Sequence, residues 1–469
     1  MKDIIKIAWR NLWRNRRRTI ITASSIFFAI FFAIVMRSFQ IGTYKHMVKI
    51  SIESYLGYLQ IQNPDYFDDP SIDNVFEFTL EMLEEITKTV NVKVAVPRIE
   101  SFALASTGML SKGVMLTGIS PEKEKEMSNP EQKLVHYAVT DKAIEHLQQK
   151  IKPDVIELLK IHNNTSFSSA EKLATALDFQ TEDSLILQTV LAQTHVASGY
   201  LSENDEGVLI SDRLSKYLKV SVGDSIILIG QGYQGSSAAG IYPVRGIVKL
   251  PSPELDNKLV YMTLGNINTF LGLSEQVTSI AINIENTDEM YKTETVLKQT
   301  FENTKTCVKN WEELSPALKQ QIESDSVSGI LFLVILYVII FFGIFGTLLM
   351  MISERMREFG IMVAIGMKKF KLVLIVVMEM LFLSLIGIFA GMAASVPVIL
   401  YGYYFPVKLT GEIKDMMIEL GMDPVFPFAW FGDYFYIQGV IVFIMILVAC
   451  IYPVRTILKL NAIEAIRGK

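Results

Sequence analysis

Few residues in this 469-residue chain stand in a pattern that supports chemistry. Gly230-Gln-Gly232-Tyr-Gln-Gly235 fits G-x-G-x-x-G and follows a strand-like run. A dinucleotide site would need a helix to begin there, with its N-terminus on the pyrophosphate. Instead Ser236 to Gly240 and the strand-like Ile241–Val248 follow, which predicts a hairpin loop. No G-x-x-x-x-G-K-[ST] phosphate loop occurs, so ATP is not bound here in that way. The five histidines are scattered, with no H-E-x-x-H and no Cys/His cluster, so no metal site is expected. Cys307 lies in a polar stretch and Cys450 in an apolar run, and a disulfide between them is not expected. The chain is therefore expected to have no catalytic residues and no cofactor of its own. A pI near 5.7 gives no reason to expect nucleic acid.

Two features remain. Glu379 stands alone in a long apolar run, and a carboxylate in lipid is costly. It is expected to face another helix, protein polar groups or water, with an ion pathway as the weaker reading. Gly387 and Gly391 in the same run are spaced for close helix approach, as are Gly343 and Gly346 in the run before it. The second feature is Ser353–Lys371, which mixes charges with apolar residues and is too short for a domain. It fits an interfacial helix with Phe359, Met362, Val363 and Ile365 toward lipid. A plain membrane-surface linker and a lever for a cytoplasmic partner suit it equally on composition.

The elements that position these residues are membrane spans. Mean hydropathy is +0.33, and it comes from a few dense blocks. Thr19–Met36 is uncharged for 18 residues, about 27 Å as a helix. A cleaved signal peptide is its rival, but no A-x-A site follows and the helical pattern continues. The chain is expected to divide into a cytoplasmic N-terminus (1–18), spans at 19–36, 327–352, 372–407 and 434–454, an extracytoplasmic stalk and domain (37–326), a cytoplasmic loop (353–371), an outer loop (408–433) and a cytoplasmic tail (455–469). Charge supports that orientation. Residues 41–325 hold 25 Lys/Arg against 39 Asp/Glu, whereas 1–18, 353–371 and 454–469 together hold 16 against 4. Basic short loops stay inside, so both termini are expected in the cytoplasm. Arg37 is read as an interfacial anchor.

The fold class expected is thus membrane α-helical, with four transmembrane helices and a large mixed α/β extracytoplasmic domain between helices 1 and 2. Strand-like runs occur at Tyr58–Gln62, Val92–Arg98, Val114–Ile119, Gly207–Ile210, Ser225–Gly230, Tyr242–Val248, Val260–Met262 and Ser279–Ile284. Helical stretches intervene at Leu80–Lys88 and Met290–Thr300. Residues 133–197 show helical spacing with almost no strand signal and read as a helical insertion. Apolar positions from Ile41 to Leu59, and Trp311, Leu314, Leu318 and Ile322, predict amphipathic stalks that continue the first and second spans outward.

Several of these motifs resemble one family. The start Ala8-Trp-Arg-Asn-Leu-Trp-Arg-Asn-Arg-Arg-Arg-Thr19, the segment Glu354 to Gly366, Glu379 with its glycines, and the tail Tyr452-Pro-x-Arg…Asn461-Ala-Ile-Glu-Ala-Ile-Arg467 are similar to FtsX-like permeases of ABC systems. That group includes the LolC/LolE lipoprotein-releasing and MacB-type permeases. Gly118-Ile-Ser-Pro-Glu122, Ile210-Ser-Asp-Arg-Leu with Val222-Gly-Asp224, and Leu255-Asp-Asn-Lys-Leu-Val260 look like the lipoprotein-releasing branch. The resemblance spans nearly everything except 133–197. It implies a MacB-like periplasmic core domain, a cell inner membrane location and a mechanotransmission mechanism. Partners would be two separate ABC ATPase subunits, which carry the ATP and Mg, and a second permease, identical or homologous. Residues Glu354, Arg355, Arg357, Glu358, Phe359, Gly360, Ala364 and Gly366 would couple to the ATPase. Lipoprotein release would need an acyl-chain cavity, which Phe27, Phe28, Phe31 and Phe32 could line. Efflux of peptides or antibiotics, and regulation of a cell-wall hydrolase, are the alternatives.

Overall fold

The computed structural model describes residues 2–14, 16–148, 150–179, 184–411, 413, 416–417 and 424–461. They form two compact units, one of Met1–His46, Ala317–Leu409 and Val425–Lys469, the other of Met47–Pro316 and Thr410–Pro424.

The first unit is helical. Among the described residues, four helices are long and apolar enough to cross a membrane: Thr19–Glu53, Pro316–Ala364, Lys369–Tyr404 and Asp433–Lys459. In lipid a helix satisfies every backbone N–H and C=O within itself, which is why uncharged runs of this length take that form. Ile26, Ile30 and Ile34 of the first, Ile344 and Leu348 of the second, Met380, Leu383 and Ile388 of the third, and Val442 and Ile446 of the last share one core. The third helix also packs against a short amphipathic helix, Lys2–Arg14.

The helix Pro316–Ala364 has 49 residues. At 1.5 Å per residue it is about 74 Å long, more than twice the thickness of a hydrocarbon core. Two expectations are corrected by it. Residues 353–364 are not a separate surface helix but the last turns of this rod. Its C-terminal break comes only beyond Ala364, where Gly366 adopts φ +103°. At the other end, Trp311 and Leu314 do not continue into Leu318 and Ile322. A short helix, Trp311–Leu314, stops at Ser315 because Pro316 disfavours a helical residue before it.

The second unit is built on a nine-stranded mixed sheet. Its strands are β1 (Leu59–Gln62), β2 (Val92–Ser106), β3 (Ser111–Ile119), β4 (Val208–Ser211), β5 (Ser225–Gln231), β6 (Ser237–Val248), β7 (Leu259–Thr263), β8 (Ser279–Ile284) and β9 (Cys307–Asn310). The order is β9-β1-β8-β2-β3-β7-β4-β6-β5, and β2 also pairs with β5. That last pairing, Ala103 to Ser106 against Ile227 to Gly230, closes six strands into a ring and removes two sheet edges. The parallel pairs are β7 with β3 and β6 with β4. The glycines at 230–235 lie in the β5–β6 hairpin, not at a helix N-terminus. The described residues of 133–197 form a small body of helices, Asp141–Gln148, Pro153–Ile161, Ala170–Ala176 and Ser184–Thr194, plus a two-stranded antiparallel pairing of Tyr137–Ala138 with Ser166–Phe167. It has a core of its own, with Leu147, Leu159, Leu173 and Val190 fully buried.

Candidate coupling site

The charged segment at the end of the long helix is tied into the helical unit by ion pairs. Successive turns of a helix place residues three and four apart on one face. Arg355 and Glu358 therefore stand together, Arg355 Nε lying 3.6 Å from a Glu358 oxygen. Arg355 Nη1 donates to both carboxylate oxygens of Glu379, at 2.8 and 3.1 Å. Arg14 Nη2 donates to both oxygens of Glu358 at 2.7 Å. Asn11 also lies beside Glu379. The result is a chain of charge, Arg14–Glu358–Arg355–Glu379, that joins the N-terminal helix, the end of the second span and the third span.

Burial grades this chain. The Glu379 side chain is 2% exposed and Arg355 16%, whereas Arg14 and Glu358 are 61% and 48% exposed. The inner pair is the one whose loss leaves an uncompensated charge in a medium that cannot solvate it. Glu379 is thus held by protein polar groups, in line with the reading that it faces another helix.

The apolar side of the segment does not point to lipid as expected. Phe359 is buried in a cluster with Ile352, Leu372, Val376, Ile457 and Leu460, and Met362 and Val363 pack against that cluster. The cause is register: the helix is unbroken, so Phe359 lies two turns beyond Ile352 on the same face. Only Ile365, 82% exposed, follows the expectation. The coupling residues proposed from sequence divide accordingly. Arg355, Phe359 and Gly360 turn inward, while Glu354, Arg357, Ala364 and Gly366 are exposed. Sequence reasoning missed Arg14 and Asn11 as part of this site. Their basic and polar character was visible, but not the partner, which for Arg14 is 344 residues away.

Gly387 and Gly391 face the first span. A Cβ on Gly387 would lie 2.6 Å from Ile26 Cβ, and one on Gly391 would lie 2.8 Å from the Phe27 carbonyl oxygen. Small residues let the two backbones approach. Gly343 and Gly346 do not act this way: a Cβ on either meets nothing within 4 Å. Phe27, Phe28, Phe31 and Phe32 form a ladder of ring contacts along the first span, with Phe28 and Phe32 about half exposed. They lie along a partly exposed face of the first span. Residues 462–467 of the tail motif lie outside the described residues.

In the second unit, the segment that follows the first long helix is anchored by a buried arginine. A π-helix, Lys49–Leu56, ends at Gly57, whose φ of +81° suits glycine. Arg98 is fully buried and donates to the Tyr55 carbonyl oxygen. It also pairs with Glu124 through Nη2 at 2.5 Å and Nε at 3.2 Å. The Tyr55 hydroxyl donates to Glu100 at 2.7 Å and lies 2.8 Å from the Thr117 hydroxyl. Burial alone would lower the Arg98 pKa, but the Glu124 carboxylate overcomes this and holds the guanidinium above its ordinary value. Arg98 and Glu124 neutralise each other, and with the Tyr55 hydroxyl they fasten the π-helix to β2, β3 and the helix Pro121–Met127.

Residues 330–462 match the family described as FtsX-like permease C-terminal. Among solved structures, the extracellular domain of the noncanonic ABC-type transporter YknZ from Gram-positive bacteria is 14% identical, covering 54% of this chain and 99% of that one with a TM-score of 0.27. The periplasmic region of MacB from Actinobacillus actinomycetemcomitans is 14% identical, covering 56% of this chain and 92% of that one with a TM-score of 0.29. No curated protein matches the chain. The family match spans most of the long helix, the charged segment, Glu379 and both C-terminal spans, which is where the sequence motifs and the ion pairs meet, and over that stretch the chain resembles FtsX-like permeases.

Proposed function

We propose that the chain is the membrane subunit of an ABC transporter and works by mechanotransmission. A separate ATPase grips the exposed residues of the 353–371 segment, Glu354, Arg357, Ala364 and Gly366. Closure of the ATPase on ATP displaces the end of the long helix, and the displacement passes along the helix to the α/β domain outside the cytoplasm. The observation that carries this reading is the chain Arg14–Glu358–Arg355–Glu379 on an uninterrupted 49-residue helix. A lever must be stiff and must be seated. The unbroken backbone hydrogen bonding supplies the first property, and the buried Arg355–Glu379 pair supplies the second. The exposed apolar side of the same helix, including Ile330, Leu331, Ile335, Ile339 and Phe342, is suited to lipid or to a second permease.

The cargo favoured is a lipoprotein released from the outer leaflet of the inner membrane, on the resemblance of Gly118–Glu122, Ile210–Leu214 and Leu255–Val260 to the lipoprotein-releasing branch. The Phe27–Phe32 ladder then offers an apolar face for acyl chains. Export of peptides or antibiotics, and control of a cell-wall hydrolase, are the other uses of the same lever. The test is to express the tagged full chain with its neighbouring genes and identify what co-purifies. An ATPase with bound lipoprotein supports the proposal. An ATPase with no cargo and a bound hydrolase selects the regulatory use, and absence of any ATPase refutes the transporter reading. Protease added to inside-out vesicles must leave residues 47–316 intact; cleavage there would reverse the orientation.

A further inference from the structure

A pocket of about 150 Å³ lies beside the end of the π-helix in the α/β unit. Leu56, Phe67, Phe102, Met115 and Leu314 form its apolar walls. Residues two apart on a strand face the same side, so Glu100 and Phe102 of β2 stand together, and Met115 of β3 is paired with Phe102. Phe102 is 60% exposed, so the pocket opens to solvent at that wall. Leu56 ends the π-helix and Leu314 ends the short helix before Pro316. A ligand seated here touches both the entry to the sheet and the exit from it.

Two polar groups in the lining are left open. Among the described residues, the Glu100 carboxylate takes one hydrogen bond, from the Tyr55 hydroxyl to Oε1 at 2.7 Å. Its other oxygen is free to accept. Gln62 lines the same pocket and is 1% exposed, and its Nε2 has no hydrogen-bond partner among the described residues. Buried polar groups are ordinarily satisfied, and one left open in the wall of a pocket calls for a water or a ligand.

Size and charge choose the ligand. A cavity of about 150 Å³ holds one benzene ring, whereas drug-sized ligands need about 300 Å³ or more. The space therefore fits a single ring. Glu100 repels an anion. Lys309 Nζ lies 4.2 Å from the Phe67 ring centroid and already sets a cation at that wall, which disfavours a second one. A neutral ring that carries a hydrogen-bond donor remains. Tyr55 displays the contact: its phenol donates to one oxygen of Glu100, and a second phenol can donate to the other.

We propose that this pocket binds a phenol ring, carried either by a small soluble phenol or by a tyrosine side chain. The proposal uses residues of the α/β unit alone and does not rest on the transporter reading. The test titrates 4-fluorophenol into the full chain in nanodiscs and follows the fluorine resonance. Uptake into lipid does not saturate and is read from empty nanodiscs. Fluorobenzene, which has the ring without the donor, is titrated in parallel. Both are repeated with Glu100→Gln and with Phe102→Ala. Glu100→Gln keeps an acceptor for Tyr55 and replaces the open oxygen with an amide NH2, which cannot accept. Phe102 is exposed, so its variant keeps the fold if the other does not. Saturable 4-fluorophenol binding that weakens about tenfold or more in Glu100→Gln, and in fluorobenzene, supports the proposal. Displacement of the probe by p-cresol at lower concentration than by N-acetyltyrosinamide assigns a free phenol, and the reverse order assigns a tyrosine side chain. No saturable binding, or binding unchanged in both variants, overturns the proposal.

Discussion

Breaking the Arg355–Glu379 pair is the perturbation that the structure weighs most heavily. Glu379 is 2% exposed and Arg355 16%, so neither charge is rescued by water once its partner is gone. Removing one member of such a pair costs about 3–5 kcal/mol, whereas replacing both with apolar residues of similar size is close to neutral. Arg355→Met and Glu379→Leu should therefore each destabilise the detergent-solubilised full chain by about 3–5 kcal/mol, and the double variant by much less than the sum. The expected coupling energy is on the order of 3 kcal/mol. Glu358→Ala provides the scale. Its partner Arg14 is 61% exposed and Glu358 itself 48%, so the pair contributes only about 0.2–1 kcal/mol. The assay is a double-mutant cycle on equilibrium unfolding in mixed micelles, with ATPase binding measured on each variant. A coupling energy below about 1 kcal/mol would refute the claim that this pair seats the helix end. So would a cost for Glu358→Ala equal to that for Glu379→Leu.

Three further outcomes follow from the same geometry. Gly391→Val should destabilise the helical unit by about 1–3 kcal/mol because its side chain meets the Phe27 carbonyl and Ile30, while Gly343→Ala, which meets open space, should be neutral or stabilising on thermal unfolding. Arg98→Met should lower the stability of the α/β unit by about 3–5 kcal/mol in denaturant, since Glu124 is left buried without its cation, and the double change with Glu124→Leu should recover most of it. Lys133 has a folded pKa of about 8 against an ordinary value of 10.5, so the unfolded chain binds more protons between those values. Its contribution to stability therefore rises with pH from 8 to 10.5, and Lys133→Met should remove that rise; an unchanged pH slope contradicts the assignment.

Much of this architecture was visible in the residues because it is written locally. Uncharged runs such as Val327–Ile352 have one stable backbone form in lipid. Alternating apolar runs marked the strands, and the helices read at Leu80–Lys88 and Met290–Thr300 have those bounds in the structure. What was not visible depends on distant partners. The pairing of Ala103 with Gly230 that closes the ring has no local signature. Glu379 announced a need for a partner by its cost in lipid, but nothing near it named Arg355. Phe359 reads as lipid-facing only when 353–371 is treated as an element in its own right. Its burial follows from the phase of the helix that begins at Pro316. The anchoring of Tyr55 by Arg98 was equally hidden, since an arginine in a strand reads as exposed until its acid is found on another element.

The account stands on the charged segment being the point where force enters. The direct measurement is ATP hydrolysis by the partner ATPase reconstituted with the full chain in nanodiscs, comparing the native sequence with Glu358→Lys. This substitution sets a third cation beside Arg14 and Arg355 and leaves the spans untouched. The account predicts that the ATPase still binds and that its hydrolysis no longer drives release of the cargo. Native coupling in this variant would contradict it.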